Sequence, residues 1–190
     1  MLFRRATFAA RPMSRRDAEA QAEKCLQSIY SQNLQVPMRL DVRQLMDRLE
    51  DQYGVGFFVE DLGPGEEGYT DPFEREIFVD TEVYKAMLAG NGRARHTCCH
   101  EVGHIPHIGQ ANAIIRDGGP KLARRLNVSV PVYMDPEWQA DAIAGALLMP
   151  RSTVPEIYGR GGVEAVSDFY QVSYRSAEVR VSVLRGLHVL

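Results

Sequence analysis

Residues 95–109 read RHTCCHEVGHIPHIG and place His100 and His104 four positions apart around Glu101, in a chain with five histidines. On a helix, residues four apart project from one face with Cβ atoms about 5–6 Å apart. Two imidazoles at that spacing close onto one ion at a Zn–N distance of about 2.0–2.1 Å. Glu101 lies about 100° further round the helix. It is therefore off the ligand face but beside the place of a metal-bound water, where a carboxylate acts as general base. At this composition a His-Glu-x-x-His pattern arises by chance about 0.01 times per chain. The stretch predicts a helix from near Arg93 that carries half of a zinc site. Pro106 is expected to end it, because the ring disfavours helical geometry at Ile105 and removes a donor.

A catalytic zinc takes three protein ligands and keeps one position open. His107 follows His104 by three residues, but Pro106 is expected to bend the chain between them, which makes His107 a surface or outer-shell group. His96 is about 12 Å from His104 along the helix axis, too far to share an ion. Cys98 and Cys99 are expected to pack in the core. Glu137 is the better third ligand. In PEWQADAIAGALLMP, residues 136–150, Glu137 and Asp141 fall on one helical face. One carboxylate there binds metal, and the other accepts the second ring N–H of His100. Ala140, Ile143, Ala144, Leu147 and Leu148 make the rest of that helix apolar, so the two acids stand at the edge of a buried wall. Candidates for contact with substrate or transition state are His107, Tyr69 and Tyr133.

HEVGH, then EWQADAIAGALLMP 33 residues later, then DFYQVSYRSAEVRVSVLRGL, together resemble the ImmA/IrrE family of bacterial and mobile-element zinc metallopeptidases. The likeness extends upstream through VPMRLDVRQLMDRLEDQYGVGFFVEDL. It implies a zincin-like fold with His100, His104 and Glu137 on zinc, Glu101 as base and Asp141 as outer-shell partner. It also implies cleavage of a phage- or element-type repressor, a helix-turn-helix protein often encoded nearby. Two features depart from the pattern: HTCC precedes the motif, and His107 follows His104 by three residues rather than four.

With zinc in place, the ion polarises a scissile carbonyl and lowers the pKa of its water from ~9 to about 7, while Glu101 takes the proton and returns it to the leaving amine. The strand REIFVD, residues 75–80, is expected to offer an edge that an extended peptide joins as an added strand.

The rest of the chain reads as α+β: a mostly helical zincin-like domain over 14–150 with a small antiparallel sheet, and a C-terminal helical pair over 151–190. Ser14 with Asp17 opens an amphipathic helix, and Asp41 caps a second, which Gly54 ends. VGFFVEDL, GYT and REIFVD read as strands around the turn-rich GPGEEG. Residues 107–134 show a weak pattern containing a Gly-Gly-Pro turn and a short basic helix around Lys121, Arg124 and Arg125. GVEAVSDFYQ and YRSAEVRVSVLRG form two closing helices.

Hydrophobic residues at 45%, charged residues at 25% and a formal charge of −3 are ordinary globular values that give no global attraction for nucleic acid or anionic membrane. The longest apolar run, AIAGALLM, is far short of the ~20 residues a bilayer span needs. Three cysteines make no disulfide framework, which fits a reducing cytoplasm. Residues 1–13 read as a flexible tail, with Met13 as an alternative start. A DNA-binding or scaffold role for the terminal pair is the alternative from another class, with Arg175, Arg180 and Arg185 along the last helix. Their spacing of five spreads them round the helix, which disfavours groove reading. A toxin component of a two-gene system would use the same catalytic centre.

Overall fold

A computed structural model describes residues 3–6, 9–108, 110 and 128–190 of the chain. The architecture is α+β and mostly helical, with a small three-stranded sheet and helices at the C-terminal end.

Helix α1 (Arg15–Ile29) begins at a reciprocal capping box between Ser14 and Asp17 and buries Ala18, Ala22, Cys25, Leu26 and Ile29. The second apolar stripe forms two short helices rather than one, α2 (Val42–Asp47) and α3 (Leu49–Tyr53), parted at Arg48. Strands β1 (Phe3–Ala6), β2 (Gly56–Glu60), β3 (Gly68–Asp71) and β4 (Glu76–Asp80) follow the order of the chain around these helices. α4 (Thr81–Leu88) leads into the motif helix α5 (Gly92–Gly103), capped by the Asn91 side chain on Arg93 and Ala94. After β5 (Val128–Pro131) comes α6 (Pro136–Leu148), with Asp135 as N-cap and Pro136 in the first turn. α7 (Val154–Tyr170), broken at Gly161 and Gly162, and α8 (Tyr174–Gly186) close the chain.

The sheet is mixed, not antiparallel. β2 runs parallel to β4, and β3 pairs antiparallel with β4 on its other side. The loop after β2 crosses over the sheet, so β3 enters at the far edge and returns through a tight turn at Arg75 into the middle position. β4, the strand REIFVD, is therefore the central strand, its edges satisfied on both sides. The edge beside the motif helix belongs to β3.

Where it is described, the stretch expected as a flexible tail lies against the rest of the fold. Phe3–Ala6 pairs antiparallel with Val128–Pro131. Ala10 is 1% exposed, and its amide and that of Met13 donate to the carbonyls of Met134 and Tyr133. The expected basic helix around Lys121, Arg124 and Arg125 lies outside the described residues. Among the described residues no helix is long and apolar enough to cross a membrane.

α6 is the central element, packed between α1 and α5. Its buried side is Gln139, Ala140, Ile143, Ala144, Ala146, Leu147 and Leu148. α5 crosses it at Gly103, where a Cβ would stand 2.6 Å from the Ala140 carbonyl oxygen and 2.8 Å from the Ala140 Cα. Only glycine permits so close an approach, and that approach brings the two motif histidines up to the first turns of α6.

Candidate metal centre

The motif helix ends one turn earlier than Pro106. His104 is its C-cap, and a second helical turn covers 105–108 with Pro106 near its start, where a missing amide costs nothing. His100 and His104 thus sit on the last turn of α5, and Glu137 and Asp141 on the first turns of α6.

The structure brings His100, His104 and Glu137 together as a group that could hold a metal ion. The Nε2 atoms of the two histidines are 3.1 Å apart. Glu137 Oε2 is 3.2 Å from Nε2 of His100, and its Oε1 is 3.6 Å from Nε2 of His104. In a tetrahedron with ligands at about 2.05 Å, neighbouring ligand atoms lie about 3.3 Å apart. The observed separations bracket that value, so the donor set fits an ion of this size. Asp141, the expected partner of His100, has its Oδ1 2.8 Å from Nδ1 of that ring. A carboxylate in that position makes Nδ1 the protonated nitrogen and directs Nε2 to the metal side.

Glu101 is 5% exposed and is outside the ligand group. Thr70 of β3 donates to its Oε2 at 2.8 Å and reaches its main-chain carbonyl at 3.2 Å. Gly68, also on β3, leaves room for it: a Cβ there would be 3.3 Å from Glu101 Cγ and 3.5 Å from Oε1. Burial pushes the Glu101 pKa up, and the Thr70 bond opposes the rise.

The histidines are driven apart electrically. Burial alone would lower the His100 pKa, but its hydrogen bonds to Asp141 and Glu137 overcome that and hold it up at about 10. Burial, with the neighbouring His100 and His107, pushes His104 well below the ordinary histidine value, against the pull of Glu137. The hydrogen bond from His100 lowers the pKa of Glu137. In the metal-free protein these shifts favour the charged form of His100 and the neutral form of His104.

His107 does not turn away from His104. The turn closed by the His107 amide on the His104 carbonyl tucks it beneath, with the two Nδ1 atoms 3.1 Å apart. It is 2% exposed and is outside the ligand group. Tyr69 stacks on Phe78, with ring centroids 4.7 Å apart, and both Tyr69 and Tyr133 are partly exposed. Neither hydroxyl is hydrogen-bonded to the ligand group. His96 is half-buried and outside the ligand group, and burial lowers its pKa. Cys98 and Cys99 are fully buried free thiols. Burial pushes Cys98 up to about 12 and Cys99 higher still, so neither offers a thiolate.

Sequence reasoning missed Thr70 and Gln139. Thr70 carries no local signal, because its role depends on sheet order. Gln139 did leave a trace, as a polar residue on the side of α6 that is otherwise apolar.

A mostly helical α+β domain with two histidines and a glutamate converging from two helices is the class that fold and site define. No protein-family model matches the chain, and no curated protein matches it. A solved Mycobacterium tuberculosis transcriptional regulator is similar in fold, with a TM-score of 0.58 at 16% identity over 88% of this chain and 46% of that one. The present chain therefore spans less than half of that regulator's length. At such identity the likeness concerns the fold alone.

Proposed function

We propose that the chain is a zinc-dependent endopeptidase of the ImmA/IrrE type. The observation that carries this reading is the His100, His104 and Glu137 triangle with a buried glutamate, Glu101, set next to it and outside it. When bound, zinc supplies Lewis acidity toward a carbonyl oxygen and makes water more acidic. Glu101 takes the proton from the attacking water and passes it to the leaving amine. A carboxylate with a raised pKa suits both halves of that transfer. Thr70 holds one carboxylate oxygen, which leaves Oε1 for the proton.

A peptide substrate is supported by β3. Among the described residues its outer edge is unpaired in the sheet, and its residues Gly68 and Thr70 flank Glu101. An extended peptide added there would pass the base with its backbone hydrogen-bonded. The sequence resemblance supplies the target class, a helix-turn-helix repressor encoded nearby and met in the cytoplasm.

The DNA-reading alternative is the one that would match the M. tuberculosis transcriptional regulator of similar fold. The arginines speak against it. Arg180 is 4% exposed and engaged by Glu19 and by the Met149 carbonyl at 2.8 Å. Arg175 pairs with Glu178, and Arg185 lies over the Tyr158 ring. Arg180 serves the fold rather than a groove, and the two exposed arginines are each engaged by a neighbouring side chain.

The test is incubation of the zinc-loaded chain with a peptide library and with the regulator encoded beside it, read by mass spectrometry. Cleavage should fall by about 10²–10⁴-fold in Glu101→Gln while zinc is retained. Equal cleavage by that variant, or no cleavage by the wild type, refutes the reading.

A further inference from the structure

Beneath His104 lies a hydrogen-bonded row whose polarity can be worked out from one end. Gln139 Nε2 is 2.8 Å from the carbonyl oxygens of both Arg11 and Tyr133. Two carbonyls accept only, so they require the amide nitrogen of Gln139 and fix its orientation. Oε1 of Gln139 then points to His107, 2.8 Å from Nε2. An amide oxygen also accepts only, so His107 carries its proton on Nε2. Nδ1 of the neutral ring is left with a lone pair, 3.1 Å from Nδ1 of His104. His104 must donate there, which leaves its own Nε2 bare on the side of His100 and Glu137.

We propose that His107 and Gln139 are positioning residues for the metal centre, setting the tautomer and ring orientation of His104 from main-chain carbonyls of the N-terminal segment and of the turn before α6. The inference rests on the metal-site reading above and adds a second, differently built support. His100 is oriented by a carboxylate, Asp141. His104 is oriented by a buried neutral row, His107 and Gln139, both 2% exposed or less. The row ends at Arg11, whose amide also donates to Gln110 Oε1 at 2.7 Å. Gln110 in turn donates to the carbonyl of Pro106 at 3.2 Å. The segment before α1 thereby ties Gln110 and, through it, Pro106 to the start of α6. Outer-shell partners of ligating histidines affect metal affinity by about 10–100-fold.

The decisive measurement is ¹⁵N–¹H correlation of the imidazoles in metal-free full-length protein. His104 is expected with its proton on Nδ1 and His107 with its proton on Nε2. A His104 protonated on Nε2, or one averaging between tautomers, overturns the proposal. Competition with a chromogenic chelator supplies the second readout. Zinc affinity should fall about 10–100-fold in Gln139→Leu. Gln139→Glu should be no better, because it sets a carboxylate against two carbonyls. His107→Asn retains an acceptor near Nδ1 and should bind zinc more tightly than His107→Leu. Wild-type affinity in Gln139→Leu, or equal losses in the two His107 variants, overturns the positioning role. Should the wild type show the stated tautomers yet bind no zinc, the orienting row stands and the peptidase reading falls.

Discussion

Substitution of Gly103 by alanine should dismantle the metal centre without touching a ligand. The added Cβ would lie 2.6 Å from the Ala140 carbonyl oxygen, whereas ordinary contact begins near 3.4 Å. The obstacle is main chain in the middle of α6, so it does not yield by rotating a side chain. α5 and α6 must part by about 0.8 Å, the difference between those two distances. Two ligands ride on α5 and one on α6. The 3.2 Å separation of His100 Nε2 and Glu137 Oε2 would open to about 4 Å, well beyond the ~3.3 Å of a tetrahedral edge. Overpacking of this kind costs about 1–3 kcal/mol, a fall of about 2–12 °C in Tm for a domain of this size. Zinc affinity should fall by at least about tenfold, as it does when the support of a ligand is lost. Thermal unfolding of the metal-free protein and chelator competition read the two effects separately. Wild-type affinity in Gly103→Ala would refute the argument that this helix contact sets the ligand geometry.

Two further predictions concern charge. Because the folded pKa of His100 is raised to about 10, its Nε2 proton occupies the metal side at neutral pH and must leave when metal binds. Zinc affinity should therefore climb about tenfold per pH unit from pH 7 to 9, and a flat profile above pH 7 would contradict the assigned proton. In the metal-free protein the same shift stabilises the fold fully below the unfolded histidine pKa, and that stability is lost as pH rises through about 10. Arg180→Ala should cost about 3–5 kcal/mol by stranding the buried Glu19 carboxylate. Urea unfolding reads this, and a loss under about 1 kcal/mol would mean that the α1–α8 ion pair is not a structural tie.

The candidate metal centre was legible because its logic is local. Spacing four on a helix aims His100 and His104 together, and the polar start of an otherwise apolar helix singles out Glu137 and Asp141. What failed to read through was set by long-range order. Nothing in REIFVD says whether its neighbours are one strand or two, so its central place and the edge position of β3 emerge only from the crossover after β2. Pro106 was a sound breaker signal read one turn late. The helix had already ended at His104, and the proline opened a new turn that folds His107 under its neighbour. The contacts of the N-terminal stretch could not be read from it because its partners, Tyr133, Met134 and Gln139, lie over a hundred positions downstream.

X-ray absorption at the zinc edge of the zinc-loaded protein tests the central claim most directly. The account predicts a four-coordinate ion with two imidazole nitrogens and oxygen ligands at about 2.0–2.1 Å and no sulfur, a shell that loses an imidazole in His104→Ala. A sulfur scatterer at about 2.3 Å, or a shell unchanged in Glu137→Ala and His104→Ala, would place the ion elsewhere and contradict it.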